Sequence, residues 1–174
     1  MACFYFDHAA QNEQSAINVL GVLLKQVISS LEQIPKEITD AFRRHKKFIG
    51  GRELQLSEIV KMLGSISSTQ RMFLCLDALD ECAASDRAKV LLSLKDVIEI
   101  SPTTRVFLTG RPYVGDEVGK HFLEGAALVP INPPNDDIIR YILTKLAEGA
   151  SSGEMDIRLK VDIVRDIPEA ASGM

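Results

Sequence analysis

The chain has 174 residues, 46% of them hydrophobic and 25% charged, with a formal net charge of -4. That is enough chain for a domain with its own core, and the balance is ordinary for a globular protein. The acidic charge gives no broad basic surface for nucleic acid, no apolar run reaches membrane-spanning length, and the N-terminus lacks the charged-then-apolar pattern of a signal peptide.

Cys3, Cys75 and Cys82 are odd in number and widely spaced, with no CxxC pair. They fit a reducing, cytoplasmic setting better than a disulfide framework or a zinc site. His8, His45 and His121 show no metal-ligand spacing. The densest basic run, Arg43, Arg44, Lys46 and Lys47, reads as a solvated helix face.

In chain order, Ala2 to Phe6 reads as a buried strand ending at Asp7 and His8. Its position directly after Met1 raises the expectation that an element precedes it. A helix from Glu13 to Leu31 follows, with Asn12 as its cap and Ile17, Leu20, Leu24, Val27 and Leu31 on its apolar stripe. Pro35 suits the first turn of another helix that carries Ile38, Ala41, Phe42 and His45 on one face. Gly50-Gly51 breaks the pattern. A third helix spans about Leu54 to Leu63, and Ser65 to Gln70 reads as a polar connector.

Met72 to Leu76 is an unbroken apolar run, the pattern of a strand buried on both faces. The chain then turns acidic at Asp77, Asp80 and Glu81. Ligands of open α/β sheets bind beyond the carboxyl ends of such strands, and Mg²⁺ takes one or two carboxylates plus substrate phosphates. Asp77 is therefore a candidate for holding Mg²⁺, and Asp80 or Glu81 for polarising an attacking water. The plainer reading is an acidic turn that ends a strand and caps a helix.

Ser85 is the expected cap of a helix from Asp86 to about Ile98. Arg105 to Thr109 reads as another short buried strand, leading into Gly110, Arg111 and Pro112. If this strand lies parallel beside the acidic one, Arg111 reaches the same sheet edge. There it could stabilise charge on a γ-phosphate, with Thr109 adding a hydroxyl contact. The alternative is that Arg111 only pairs with Asp80 or Glu81. A short helix covers Asp116 to Phe122, Ala127 to Ile131 reads as a further strand, and Asn135 opens a helix to about Ala147. In the tail Ile157, Leu159, Val161 and Ile163 alternate as in a strand, while Ile157, Val161, Val164 and Ile167 also fit helical spacing; the tail is read as a helix. Strands separated by helices predict a parallel α/β sheet flanked by helices.

A phosphate-binding loop, G-x-x-x-x-G-K-[ST], is absent from these 174 residues. Gly119-Lys120 is followed by His121, and Gly50-Gly51-Arg52 has neither the lysine nor the hydroxyl.

The motifs together resemble a NACHT module, as in fungal ankyrin- or WD-repeat proteins and nephrocystin-type N-terminal domains, within the STAND class of P-loop NTPases. FLCLDALDEC resembles its Walker B segment, D-[AG]-L-D-E-C after an apolar strand. RVFLTGRP resembles its sensor-1 strand and Ser/Gly-Arg-Pro turn. CFYFDHAAQNEQSA resembles its second strand and helix, NPPNDDIIRYI the segment opening the helix after the last strand, and EAASGM the start of a further segment. The resemblance implies a P-loop NTPase (ASCE/STAND) fold missing its first strand and phosphate loop, with residues 1–150 as a partial NACHT core and 151–174 as the start of a helical segment. It implies that Asp77 serves Mg²⁺, Asp80 or Glu81 positions the hydrolytic water, and Arg111 contacts the γ-phosphate of ATP or GTP. It also implies a signalling switch that self-associates or works with other domains of a longer protein, with no nucleic-acid or membrane partner. Without the loop, hydrolysis by this chain alone is not expected. Two other readings follow from the residues: a non-catalytic interaction or scaffold module, and a metal-dependent hydrolase or phosphotransferase built on Asp77, Asp80 and Glu81.

Overall fold

The protein is described by a computed structural model covering residues 1–47, 54–122, 125–148 and 155–171. It divides into two compact units, residues 1–126 and 127–174. The Gly50-Gly51 break and the last residues of EAASGM lie outside the described residues.

The first unit is mixed α/β. Strand β1 (Ala2–Tyr5) leads through a short 3-10 turn into helix α1 (Ala16–Ser29), followed by α2 (Lys36–Lys47) and α3 (Leu56–Thr69). Strand β2 (Phe73–Asp77), helix α4 (Ala84–Ile100), strand β3 (Arg105–Leu108) and the short α5 (Gly115–His121) complete it. The sheet has three parallel strands in the order β1-β2-β3, with Phe4 opposite Leu76 and Leu74 opposite Val106. Parallel neighbours need a crossover, and α1 to α3 supply the first while α4 supplies the second.

The core lies on one face of this sheet. Leu20, Leu23 and Leu24 of α1, Leu63 of α3 and Leu91 and Leu94 of α4 pack there with Leu74 and Leu76 of β2. The opposite face carries Tyr5, Phe73 and Phe107, which are 69%, 47% and 62% exposed. The expectation of strands buried on both faces is therefore corrected: among the described residues of the first unit, the helices flank one side of the sheet. Continuous apolar runs arise here because the second face bears exposed aromatics and two cysteines. The edge of β1 is closed by Gln26, whose carboxamide accepts from Cys3 N–H at 2.9 Å and donates to Cys3 C=O at 2.8 Å. A side-chain amide thus substitutes for a neighbouring strand at an otherwise open edge.

Several local expectations change. Helix α1 begins at Ala16, capped by Ser15 and not Asn12, because His8–Glu13 forms the 3-10 turn. Ser65 to Thr69 is helical, not a connector. Ile66 continues the buried stripe of Ile59 and Leu63, and the Ser67 and Ser68 hydroxyls donate to the carbonyls of Gly64 and Ser65. Helix α4 starts at Ala84, before the expected Ser85 cap, and has no side-chain cap. Ala127 to Ile131 forms no strand. An apolar run becomes a strand only with a ladder partner for its backbone, and among the described residues the sheet has no strand after β3.

The second unit pairs α6 (Asn135–Glu148) with α7 (Ile157–Ala171). The tail is helical, the second of the two readings that its spacing allows. No helix among the described residues is long and apolar enough to cross a membrane.

Candidate functional site

The carboxyl edge of the sheet is built by three chain reversals. β2 ends at Asp77, and Ala78 then takes a left-handed conformation, φ 56° and ψ 46°, the only non-glycine residue with positive φ among those described. This reversal folds Leu79–Glu81 into a single 3-10 turn and brings Asp80 back toward β3. Left-handed backbone at a residue with a Cβ is strained by about 1–2 kcal/mol, so the surroundings must hold it.

Thr109, just beyond β3, supplies that hold. Its hydroxyl donates to the Asp77 carboxylate and accepts from Ala78 N–H at 3.0 Å. Its carbonyl accepts from Leu79 N–H at 2.9 Å. The parallel pairing of β2 with β3 makes this possible, since it places Thr109 one residue past the Leu76–Leu108 register.

Asp80 lies over the turn that follows β3 at Gly110 and Arg111. Its carboxylate accepts from Arg111 N–H at 3.2 Å and meets Arg111 Nε at 3.3 Å. The Asp80 side chain is 9% exposed and that of Arg111 75%. The pair is thus an almost buried acid held by a guanidinium that still faces solvent. Gly110 makes room for it: a Cβ there would stand 2.9 Å from Val114 Cγ2 and 3.4 Å from Asp80 Oδ1. Tyr113 adds a hydroxyl contact to the Asp80 carbonyl at 3.3 Å.

Glu81 turns the other way, to the end of β1. Its carboxylate accepts from His8 N–H at 2.9 Å, and its carbonyl accepts from the Gln11 side chain at 2.9 Å. The three acids are therefore not one cluster. Asp77 and Asp80 face β3, Glu81 faces β1, and no group of three acidic, Cys or His residues among the described residues is placed to hold a metal ion. One half-buried carboxylate beside a hydroxyl matches a Mg²⁺ brought in on a nucleotide, where phosphates supply most of the oxygens. It does not match a protein-only metal cage.

Sequence reasoning named Asp77, Asp80, Glu81, Thr109 and Arg111, and all five lie on this edge. It missed the supports. Arg87 of α4 donates from Nη1 to the Cys82 carbonyl at 2.9 Å and from Nε to Glu117 of α5 at 2.7 Å. This largely buried pair ties the end of the acidic turn to the helix after β3. Nothing in the spacing of residues 82, 87 and 117 signals it. Cys82 beneath the turn is buried, which raises its thiol from 9.0 to about 11, against the lowering pull of Arg87.

These elements define a parallel α/β protein whose sheet edge joins the carboxylates of one strand end to the hydroxyl and guanidinium of the next. A family model described as Nephrocystin 3, N-terminal, matches residues 1–111, and the chain belongs to that family. The match runs through β1, β2 and β3 to Arg111, so it contains all five candidate residues. No curated protein and no solved structure matches the chain.

Proposed function

We propose that this chain forms the acid-and-sensor side of a NACHT-type nucleotide-binding switch of the STAND class of P-loop NTPases. Asp77 serves the Mg²⁺ of ATP or GTP, Arg111 and Thr109 face the γ-phosphate, and Asp80 or Glu81 orients water. When bound, the metal neutralises charge on the phosphates. The residues' own contributions are Thr109 fixing the Asp77 carboxylate, Asp80 aiming the Arg111 guanidinium, and Ala78 turning the chain between them. The observation that carries this reading is the adjacency of β2 and β3, which brings Thr109 to Asp77 and Arg111 to Asp80.

The phosphate loop is not among these residues, so binding by this chain alone is weak and hydrolysis is not expected. Titration with ATP and Mg²⁺, followed by backbone amide resonances, tests the reading. The expected result is millimolar affinity, about -4 kcal/mol, with shifts confined to residues 77–81 and 109–111. Asp77→Asn and Arg111→Ala should each abolish them. Micromolar affinity would refute weak binding without the loop, and shifts elsewhere would refute the site.

A second reading is a non-catalytic interaction module. It is favoured by the partners that Asp80 and Glu81 already hold, Arg111 and His8 N–H, which let both acids serve as structural ties. A folded chain whose spectrum is indifferent to Mg-ATP would select it.

A further inference from the structure

The face of the sheet opposite the core carries a feature that the nucleotide reading does not use. Cys3 of β1 and Cys75 of β2 are direct register partners. Aligned residues of parallel neighbours point to the same face, so both thiols emerge side by side. Both are partly exposed, whereas Cys82 is buried. Neighbouring strands run about 4.8 Å apart, within the ~4.4–6.8 Å Cα separation of a disulfide. The backbone at both positions is held firmly: Cys3 by the Gln26 carboxamide and Cys75 on the central strand, paired on both sides.

The geometry points to a redox modification site: Cys3 and Cys75 form a dithiol–disulfide couple that exchanges with low-molecular-weight disulfides at the open face of the sheet. One protein thiolate attacks a sulfur of the small disulfide, that S–S bond breaks, and half of the molecule leaves as a thiolate. The second protein thiolate then attacks the resulting mixed disulfide, displacing the other half. Two protein thiols lose two protons and two electrons, and the small disulfide is reduced to two thiols. Asp77 follows Cys75 by two residues on the same face, so the couple lies beside the acidic edge.

Intact-mass measurement of the folded chain after incubation with glutathione disulfide tests this. The expected product has lost two hydrogens and retains no glutathione, and alkylation in denaturant afterwards labels one thiol, Cys82. Dithiothreitol restores three alkylatable thiols. Cys75→Ser and Cys3→Ser should each stop at a single retained glutathione adduct, on the remaining thiol of the pair. A wild-type chain that retains glutathione, cross-links to a second chain, or does not react would overturn the proposal.

Discussion

The hydroxyl of Thr109 is the keystone of the acidic edge, and Thr109→Val removes it while keeping the shape of the side chain. Two interactions are lost. Ala78 N–H, half-buried at a left-handed residue, loses its acceptor at 3.0 Å; an unsatisfied buried donor costs roughly 1–3 kcal/mol. Asp77 loses a hydrogen bond to a charged acceptor, roughly 1.5–3 kcal/mol in general, with the lower end appropriate where water can replace it. The sum is about 2.5–4.5 kcal/mol, a large share of the ~5–15 kcal/mol available to a domain. Urea unfolding followed by circular dichroism reads it. With a slope of about 2 kcal/mol per molar urea, the midpoint falls by about 1–2 M. Thr109→Ser keeps the hydroxyl and should stay within about 1 kcal/mol of the parent. Amide exchange at Ala78 should quicken in the valine variant alone. If valine leaves the midpoint in place, or serine is as damaging as valine, the hydroxyl is not what holds the turn.

Ala78 itself should tolerate Gly, which relieves the left-handed strain, but not Val, whose branched Cβ should cost more than the ~1–2 kcal/mol of alanine strain; thermal melting of the two variants compares them. Arg87→Met should destabilise by about 2–4 kcal/mol, since it leaves Glu117 and the Cys82 carbonyl without their shared partner. Glu117→Gln should cost less, because a hydrogen bond to Arg87 survives; equal losses in urea titrations would argue against this order. Cys82 makes stability depend on pH at the alkaline end. Below pH 9.0 both states keep the thiol proton; between 9.0 and about 11 the unfolded chain releases it first, and stability falls as pH rises. The drop is about 2–3 kcal/mol, and Cys82→Ala should remove it; parallel curves for the two proteins from pH 8 to about 11 would refute the assignment.

Much of this protein is written in its sequence. The apolar runs at residues 2–6, 72–76 and 105–109 become the three strands. The helical spacing of Leu20, Leu24 and Val27, or of Val90, Leu91 and Leu94, becomes buried helix faces. The placement of Asp77 and Asp80 beside the Thr-Gly-Arg turn was legible for the same reason: a parallel strand delivers whatever follows it to the carboxyl edge. Local periodicity and strand direction are properties of short segments, and they survive folding almost unchanged.

Other features depended on contacts between distant segments. A continuous apolar strand cannot announce whether helices cover one face or two, and Phe73, Phe107 and Tyr5 proved to lie on the uncovered side. Ala127 to Ile131 has the composition of a strand but no ladder partner, and backbone without one does not form a sheet. Nor does spacing reveal that Glu81 bonds to His8 rather than joining Asp77, that Arg87 bridges Cys82 and Glu117, or that Cys3 stands beside Cys75. Those partners lie 30 to 73 residues apart at their widest separations, or are matched only by the register between strands. Register and layer coverage are set by how whole elements pack, which no single segment encodes.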